Sequence, residues 1–379
     1  MKRILILYAK YGGGHLSAAK SIEKYIEENY FDVNIKTVDC IEYINQFLSN
    51  LTTGAYKQMA KKAPWAWKKI YYNSQKGTLS KVSNYANKTM AKKLHKLFKE
   101  FLPDIVISTH PFATQMTSYL KEHENVNCIL ATILTDFASH DQWLVGKDYG
   151  DLFFVSNNQM KTQLIEANIP ENKIFVTGIP ISDRYSEKFN INHIYSEHSL
   201  TPHKKVILFF GGGEFGLGKE KTIEILKSLI KHLDTYQIIA ISGKNKKMND
   251  AFLKLNEELE KTNNKNKNDL HIYKYTTNVP ELMKISSLVV TKPGGLTSSE
   301  SLVSKLPMII INPIPGQEEE NAEFLEKSGV GVWLKKDDNI DDVINSVLLN
   351  SEKLENMSKN CELLGKIDST KNICKLILG

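Results

Sequence analysis

The stretch Lys292-Pro-Gly-Gly-Leu-Thr-Ser-Ser-Glu-Ser301 decides the fold, because it joins an apolar run at residues 287–290 to a segment with helical spacing at 296–303. A glycine turn that leads into a helix N-terminus presents unpaired backbone N–H groups and the positive end of the helix dipole, and both suit phosphate. Glu300 lies about a turn and a half into this helix, where a carboxylate can accept hydrogen bonds from ribose hydroxyls. The glycines alone are explained equally well by an ordinary strand–turn–helix corner.

A second polar cluster, Gly316-Gln-Glu-Glu-Glu-Asn-Ala322, follows the turn after another apolar run. Its amide and carboxyl side chains can hydrogen-bond the hydroxyls of a sugar. Together the two stretches offer backbone donors for a diphosphate, a carboxylate for a ribose and a polar cluster for a sugar. The pair is much harder to explain as a plain structural corner than the glycine turn alone.

Predicted strands alternate with amphipathic helices along the chain, which favours mostly parallel sheets with helices on both faces. The alternation pauses in the polar stretch 185–203 and restarts at the apolar strand 205–210. We predict an α/β fold of two Rossmann-like doubly wound domains that face each other across a ligand cleft. The predicted division is residues 1–185 and 204–360 as domains, 186–203 as linker, and 361–379 as a C-terminal helix that packs back on the first domain. The predicted strands are 3–9, 33–38, 105–108, 128–134, 152–155, 205–210, 237–242, 270–273 and 287–290, and the predicted helices are 17–28, 222–233, 251–260, 279–285 and 296–303.

Two further glycine loops follow predicted strands, at residues 12–15 (Gly-Gly-Gly-His) and 211–218. The second loop satisfies the GxGxxG dinucleotide pattern, which is a weak signal alone. A nicotinamide site also needs an acidic residue after the next strand, and residues 242–245 (Ser-Gly-Lys-Asn) contain none. The first loop has Asp39 after its second strand, but Ser17 stands in place of the third glycine. A nicotinamide dehydrogenase is therefore the less favoured interpretation of these loops.

His15 is the candidate for chemistry, because it follows three glycines at a strand-to-helix turn and a near-neutral pKa suits proton abstraction from a hydroxyl. The alternative is a histidine that caps its own helix. Asp136 lies just past another predicted strand end and can orient or replace the base. No DxD motif lies at a strand end near the diphosphate loops, so we expect no dedicated metal site.

Length and composition bound the class of protein. A chain of 379 residues exceeds the usual single core, which favours two domains. Its four cysteines show no CxxC pair and no metal spacing, so we expect reduced thiols in a cytosolic protein. The sequence shows no signal peptide and no run of about 18–20 apolar residues, so we expect no membrane span.

Positive charge is concentrated between residues 43 and 99, which contain twelve lysines and no Asp or Glu. Aromatic residues are interleaved with these lysines, and such segments bind anionic lipid surfaces, each engaged lysine contributing about 1 kcal/mol. We predict reversible docking on the inner face of the cell membrane. A nucleic acid can use the same lysines, although the chain has only two arginines and no recognisable nucleic-acid-binding fold. A solvated helix face is the other alternative. The predicted membrane contacts are Trp65, Trp67, Lys68, Lys69, Tyr71 and Tyr72.

In this order, the motifs resemble the diacylglycerol glycosyltransferases of glycosyltransferase family 28. That group includes the monogalactosyldiacylglycerol synthases of plants and the processive diacylglycerol beta-glucosyltransferases of bacteria. The resemblance implies the GT-B fold, with the acceptor in the first domain and a UDP-sugar in the second, and a β-linkage formed with inversion. The resembling blocks are residues 12–19, 109–111, 135–143, 176–181, 211–218, 242–245, 292–301 and 316–322, which together span nearly the whole chain.

The resemblance also implies roles for single residues. By position, His15 matches the general base and Glu300 the carboxylate that binds the ribose. The family often has Arg in the block at 242–245, where Lys244 keeps the charge but loses the planar fork. The turn that matches the diphosphate site contains Gly294, Gly295 and Leu296, and the residues that match contacts to the donor sugar are Gln317 and Glu318, with Asn321 close behind. The other implied donor-side residues are Gly14, Gly213, Phe215, Gly216, Asn245 and Thr297, and the implied acceptor- or membrane-side residues are His110 and Trp143.

The implied reaction is transfer of a hexose, which we expect to be glucose, from a UDP-hexose to 1,2-diacylglycerol. We expect no tightly bound cofactor and no nucleic acid partner, and the sequence carries no signal of oligomeric state. One alternative is a transferase that acts on a peptidoglycan lipid intermediate. Another is a UDP-N-acetylglucosamine 2-epimerase of the same fold, which leaves the basic segment unexplained. A non-enzymatic nucleotide-sugar sensor leaves His15 unexplained.

Overall fold

The computed structural model describes residues 1–10, 13–44, 80–211, 218–262 and 264–379, with residues 80–89 described by backbone alone. Several sequence predictions lie outside these residues. They are the donor-side residues Gly213, Phe215 and Gly216 and the membrane contacts Trp65, Trp67, Lys68, Lys69, Tyr71 and Tyr72.

Two parallel sheets of six strands each form the framework of the described residues. The first contains β1 (Lys2–Tyr8), β2 (Val33–Asp39), β3 (Ile105–Ser108), β4 (Ile129–Ile133), β5 (Leu152–Val155) and β6 (Ile174–Val176). The second contains β7 (Lys205–Phe210), β8 (Tyr236–Ile241), β9 (Leu270–Tyr273), β10 (Ser286–Thr291), β11 (Met308–Ile311) and β12 (Gly331–Leu334). The strand orders are β2-β1-β3-β4-β5-β6 and β12-β11-β10-β7-β8-β9. Strand order reverses between β1 and β3 and between β7 and β10, and such points are where doubly wound sheets bind ligands.

Helices connect most of these strands and cover the faces of both sheets. They are α1 (Gly14–Asn29), α2 (Cys40–Ile44), α3 (Ser80–Phe101), α4 (Pro111–His123), α5 (Asn158–Glu166), α6 (Ile191–Glu197), α7 (Lys219–Ile230), α8 (Lys246–Glu260), α9 (Val279–Ile285), α10 (Gly295–Val303), α11 (Gln317–Lys327), α12 (Ile340–Leu348), α13 (Ser351–Leu364) and α14 (Ser369–Leu378). None of the helices in the described ranges has a stretch long and apolar enough to cross a bilayer.

The two-domain α/β prediction is confirmed, and each of the nine predicted strands is present. The short strands β6, β11 and β12 were not predicted. Helix α1 begins at Gly14 instead of Ser17, because the Gly13 carbonyl accepts from the Ser17 N–H at 3.0 Å and closes the first turn. Helix α8 begins five residues before its predicted start, because the Asn245 side chain accepts from the Met248 N–H at 3.2 Å and caps it.

The connection and the C-terminal segment also differ from their predicted form. Within 186–203, helix α6 packs Ile194 against the core of the second sheet. The predicted helix 361–379 is two elements, since α13 ends at Leu364 and α14 begins at Ser369. In between, a Cβ on Gly365 would lie 2.9 Å from the Leu302 carbonyl oxygen. Helix α14 packs Ile373, Cys374 and Ile377 into the core of the first sheet.

The chain passes between the two sheets twice, and the two passages contact each other. The Ser369 hydroxyl donates to the Ile179 carbonyl at 2.8 Å, and the Thr370 hydroxyl donates to the Ile181 carbonyl at 2.9 Å. Gly178 adopts a φ of 86°, and a Cβ there would lie 2.5 Å from the Lys366 Cβ. These contacts fix how the two domains meet.

Candidate active site

The predicted site residues gather where the carboxyl ends of the two sheets face each other. The segments that follow β1, β3 and β4, which are neighbours in the first sheet, carry His15 in the first turn of α1, His110 and Asp136. Loops after β10 and β11, also neighbours, lead into α10 and α11. The two sides touch, because a Cβ on Gly295 would overlap the backbone oxygen of Thr135. The structure therefore brings the predicted base and the predicted diphosphate turn together across one crevice.

The His15 ring is held by one residue of the β3 loop. Its Nδ1 lies 2.7 Å from the Thr109 carbonyl oxygen, and the Thr109 hydroxyl donates to the His15 carbonyl at 2.9 Å. A carbonyl oxygen only accepts, so Nδ1 carries the hydrogen and Nε2 keeps its lone pair. The Thr135 hydroxyl lies 3.0 Å from the same Nδ1. This tautomer is the one that a general base working through Nε2 requires.

Burial keeps the His15 imidazole neutral. It lowers the pKa of His15 to about 4, and the Thr109 hydrogen bond raises it by less. The pKa of His140 is lowered to about 3, chiefly by burial and secondly by His15. Three histidines therefore surround this end of the crevice in the uncharged form, since burial also lowers the pKa of His110.

His110 and Trp143 are buried, with 6% and 1% of their surface exposed. The His110 ring lies 4.5 Å from the His15 ring, and its Nδ1 accepts from the Phe112 N–H at 3.1 Å. Trp143 packs in the core around β5. Neither residue reaches the protein surface. The acceptor- or membrane-side role that the resemblance implies for them stays a prediction, and their burial favours the acceptor side.

Asp136 is also buried, and its carboxylate is bound by the opposite domain. Its Oδ2 accepts from Nε2 of Gln317, and its Oδ1 accepts from Nδ2 of Asn321 at 3.1 Å. Burial raises the pKa of Asp136 to about 7, and these two hydrogen bonds oppose the shift. Asp136 therefore links the predicted catalytic side to the predicted sugar-binding cluster.

Asn321 makes two further contacts, both with backbone groups. Its Oδ1 accepts from the Phe137 N–H at 2.8 Å, and its Nδ2 donates to the Pro293 carbonyl at 3.1 Å. These two groups define which end of the amide is oxygen and which is nitrogen. Glu318 is held differently, by Lys292 at 2.9 Å and by the Ile314 N–H at 2.7 Å.

The predicted diphosphate turn leaves room on its outer side. A Cβ on Gly294 would meet no atom within 4 Å, and Gly294 is the N-cap residue of α10. The first N–H groups of α10 follow, at Gly295, Leu296 and Thr297, and a helix N-terminus of this kind suits an anion. Leu296 packs into the crevice, and a Cβ on Gly14 would lie 3.3 Å from its Cδ2. An anion can therefore approach the turn at Gly294.

Glu300 lies in the second turn of α10, where its side chain pairs with the Tyr185 hydroxyl. Burial raises the pKa of Glu300 to about 7, and burial together with Glu300 raises the pKa of Tyr185. Lys244 is exposed above the Tyr275 ring, with its Nζ 5.1 Å from the ring centroid. The roles predicted for Glu300, Lys244 and Asn245 toward the donor stay predictions.

Sequence reasoning missed the residues that hold the site together, above all Thr109, Thr135 and Tyr185. A polar residue directly after a buried strand was the available signal for the two threonines. Among the described residues, Glu197, His198 and Glu281 are a group whose potential ligand atoms lie within 4.8 Å of one another. This group lies between α6 and α9, and Arg184 already pairs with Glu281 at 2.6 Å. We assign it no metal.

Two Rossmann-like domains that face one crevice define the GT-B class of nucleotide-sugar enzymes, and solved structures share this architecture. The UDP-GlcNAc 2-epimerase of Neisseria meningitidis, bound to UDP-GlcNAc, superposes with a TM-score of 0.65 at 15% identity, covering 99% of each chain. MurG of Acinetobacter baumannii superposes with a TM-score of 0.62 at 14% identity, covering 100% of this chain and 99% of the MurG chain. At these identities the likeness shows the fold alone.

Sequence comparison identifies the family. The family model for monogalactosyldiacylglycerol (MGDG) synthase matches residues 15–181, and that for the glycosyltransferase family 28 C-terminal domain matches residues 206–375. The processive diacylglycerol beta-glucosyltransferase of Staphylococcus epidermidis is 31% identical over 379 residues, covering 100% of this chain and 92% of the relative. The Bacillus subtilis enzyme of the same name is 29% identical over 380 residues, covering 100% of this chain and 95% of the relative. The chain belongs to the diacylglycerol glycosyltransferases of glycosyltransferase family 28.

Proposed function

We propose that this protein is an inverting glycosyltransferase that moves glucose from UDP-glucose to 1,2-diacylglycerol and makes a β-glucosyldiacylglycerol. The relatives that align with the whole chain carry the name diacylglycerol beta-glucosyltransferase. One structural observation carries the proposal. The neutral His15 imidazole contacts the Thr135 hydroxyl, and Thr135 itself contacts the turn at Gly295 that is predicted to bind the donor diphosphate.

The proposed mechanism is a direct displacement. The diacylglycerol hydroxyl attacks C1 of the sugar while Nε2 of His15 takes its proton. The new C1–O bond forms on the face opposite to the breaking bond to UDP, so an α-linked donor gives a β-linked product. Negative charge grows on the departing UDP, where the N–H groups and dipole at the start of α10 stabilise it. The imidazolium then releases its proton to water.

His15→Ala tests the general base. Removing such a group costs about 10²–10⁴-fold, so kcat is expected to fall by at least about a hundredfold. UDP affinity by calorimetry is expected to persist, because the diphosphate turn belongs to the other domain. The matched control is His193→Ala, since His193 lies exposed on α6. Turnover close to wild type would move the role to Asp136.

The substrate class is tested with labelled donors and separated lipid products. We expect UDP-glucose with diacylglycerol vesicles to yield labelled glucosyldiacylglycerol, and UDP-galactose to yield less product. A transferase for a peptidoglycan precursor would label that lipid instead. A 2-epimerase would convert UDP-N-acetylglucosamine without any lipid. Either of these last two outcomes, without labelled diacylglycerol, would contradict the proposed function.

The basic, aromatic segment at residues 56–99 is proposed to dock the enzyme reversibly on anionic lipid, because its acceptor with two acyl chains stays in the bilayer. Sedimentation with phosphatidylglycerol vesicles is expected to be strong at low salt and weak at high salt, and absent with phosphatidylcholine. The double variant Lys68→Ser/Lys69→Ser is expected to bind less, whereas the control Lys371→Ser, an exposed residue of α14, binds as wild type. Tight RNA binding without lipid binding would contradict docking.

A further inference from the structure

Asn321 contacts the opposite domain with both ends of its side-chain amide. The side chain has no exposed surface, although it lies in the helix that carries the predicted sugar contacts. Its oxygen accepts from the first domain at Phe137, and its nitrogen donates to the first domain at Asp136 and to the second domain at Pro293. An amide has two N–H donors, so both are already used.

Asn321 and its neighbour Glu318 therefore differ in the hydrogen-bonding capacity that they keep for a ligand. A hydroxyl of the donor sugar can accept from Nδ2 of Asn321 only if a bond to Asp136 or to Pro293 breaks. It cannot reach the second lone pair of Oδ1, because the side chain has no exposed surface. The Glu318 carboxylate is about 20% exposed and keeps lone pairs for a sugar hydroxyl beside its bonds to Lys292 and Ile314. The predicted sugar contact therefore fits Glu318 better than Asn321.

We propose that Asn321 is a positioning residue, whose amide fastens the loop carrying Asp136 to the turn that opens the donor helix α10. The same loop carries Thr135, whose hydroxyl lies 3.0 Å from Nδ1 of His15. Asn321 thereby sets the distance between the base and the sugar without touching the sugar itself. The expected effect on catalysis rests on the proposed function, whereas the bridge between the domains does not.

An apolar contact beside the amide also joins the two domains. The Phe137 ring stacks on the Phe324 ring, with centroids 5.5 Å apart and planes 19° from parallel, and Phe324 lies one turn further along α11. Removing the amide is therefore expected to loosen the geometry of the crevice, with the fold retained. Loss of precise placement of reacting groups costs rate more than ground-state binding.

Asn321→Ala is expected to lower kcat by about a hundredfold, the scale that a misplacement of about 1 Å causes. UDP affinity by calorimetry is expected to stay near wild type, because Glu300 and the start of α10 are unchanged. The control is Glu323→Gln, an exposed position on the same helix, with kcat unchanged. Turnover of the Asn321 variant close to wild type would overturn the inference. A rise in the KM for UDP-glucose as large as the loss of kcat would overturn it too, in favour of a direct contact with the donor sugar, which UDP itself lacks.

A second measurement needs no enzymatic activity. Asn321→Asp, of the same shape, loses both donors and brings a carboxylate next to Asp136, so small-angle X-ray scattering is expected to show a more open particle. The exchange Asp136→Asn/Asn321→Asp restores one N–H···O bond between the two positions and is expected to recover compactness. A double variant no more compact than Asn321→Asp would overturn the inference that Asn321 bridges the domains. This test does not need the Asn321→Ala variant to fold. A wild type without transferase activity that still passes this test would refute the proposed function alone.

Discussion

Thr109 shows how one residue prepares an imidazole for proton abstraction. Its carbonyl binds Nδ1 of His15 and its hydroxyl binds the His15 backbone, so the ring is fixed from two directions. The bond selects the tautomer, and burial lowers the pKa to about 4. A lowered histidine pKa means that the base is neutral, and therefore active, above about pH 4. Asp136 is different, since its pKa of about 7 leaves it protonated in acid.

Asp136→Asn separates the two candidates for the base by pH. The variant has no group that titrates near pH 7 at this position. With His15 as base, we expect kcat within about tenfold of wild type, the cost of about one charged hydrogen bond. At saturating UDP-glucose, where ionisation of Glu300 in the free enzyme no longer affects the rate, we expect kcat of the variant to stay level from pH 8 to about pH 5 and to fall only toward the His15 pKa near 4.

Asp136 as the base predicts a different pH profile for the variant. If Asp136 is the base, the amide variant loses at least about a hundredfold in kcat above pH 7, where the wild-type carboxylate is ionised, and the difference narrows in acid, where the wild-type carboxyl is protonated.

At the scale of elements, two adjacent glycines at the start of α10 have different structural roles. Gly294 borders open space, where an anion can approach the helix N-terminus. Gly295 lies against the backbone oxygen of Thr135, so its missing side chain permits contact between the domains. The sequence predicted the turn and the helix correctly, because apolar spacing and Pro-Gly-Gly are local signals. It did not predict which glycine served which partner, because Thr135 belongs to the other domain.

Gly295→Ala tests this contact. The added methyl overlaps a backbone atom that cannot move alone, so we expect the crevice to open and the melting temperature to fall, with a cost of about 1–3 kcal/mol. We also expect kcat to drop by more than about a hundredfold. Gly294→Ala is the control for stability, because its methyl meets no atom within 4 Å.

Scanning calorimetry gives the stability of the two glycine variants, and UDP titration gives their affinity. Gly294→Ala is expected to keep the melting temperature but to weaken UDP binding. Equal melting temperatures for both variants would contradict the assignment of the domain contact to Gly295.

At the scale of the whole molecule, long-range pairing limits what the sequence predicts. Apolar runs predicted the nine strands, and motif order predicted the family. The bonds that close the crevice join residues far apart in the chain, such as Phe137 and Asn321, which are 184 positions apart. The burial of Trp143 was likewise not predicted, because a match to a family motif does not say whether a side chain is exposed. Such features depend on how the domains fold and meet, which no local pattern contains.

Gly178→Ala probes the joint between the domains. An alanine at a φ of 86° is strained by about 1–2 kcal/mol, and its Cβ would lie 2.5 Å from Lys366. We expect the melting temperature to fall by about 5 °C or more. Gly218→Ala is the matched control, since Gly218 has a φ of 56° but open space around it, and should cost the strain alone. Equal decreases in melting temperature for the two variants would show that the overlap with Lys366 does not contribute to the destabilisation.

Helix α14 has a consequence for how the chain is synthesised. It lies downstream of the entire second sheet, yet Ile373, Cys374 and Ile377 fill the core beneath β1, and the Lys2 ammonium donates to the Leu378 carbonyl at 3.2 Å. Domains commonly fold as units while the ribosome is still translating. Here the half that emerges first is completed by the segment that emerges after the other half. The nascent first domain must therefore wait, with part of its apolar interior uncovered, until translation has passed the second.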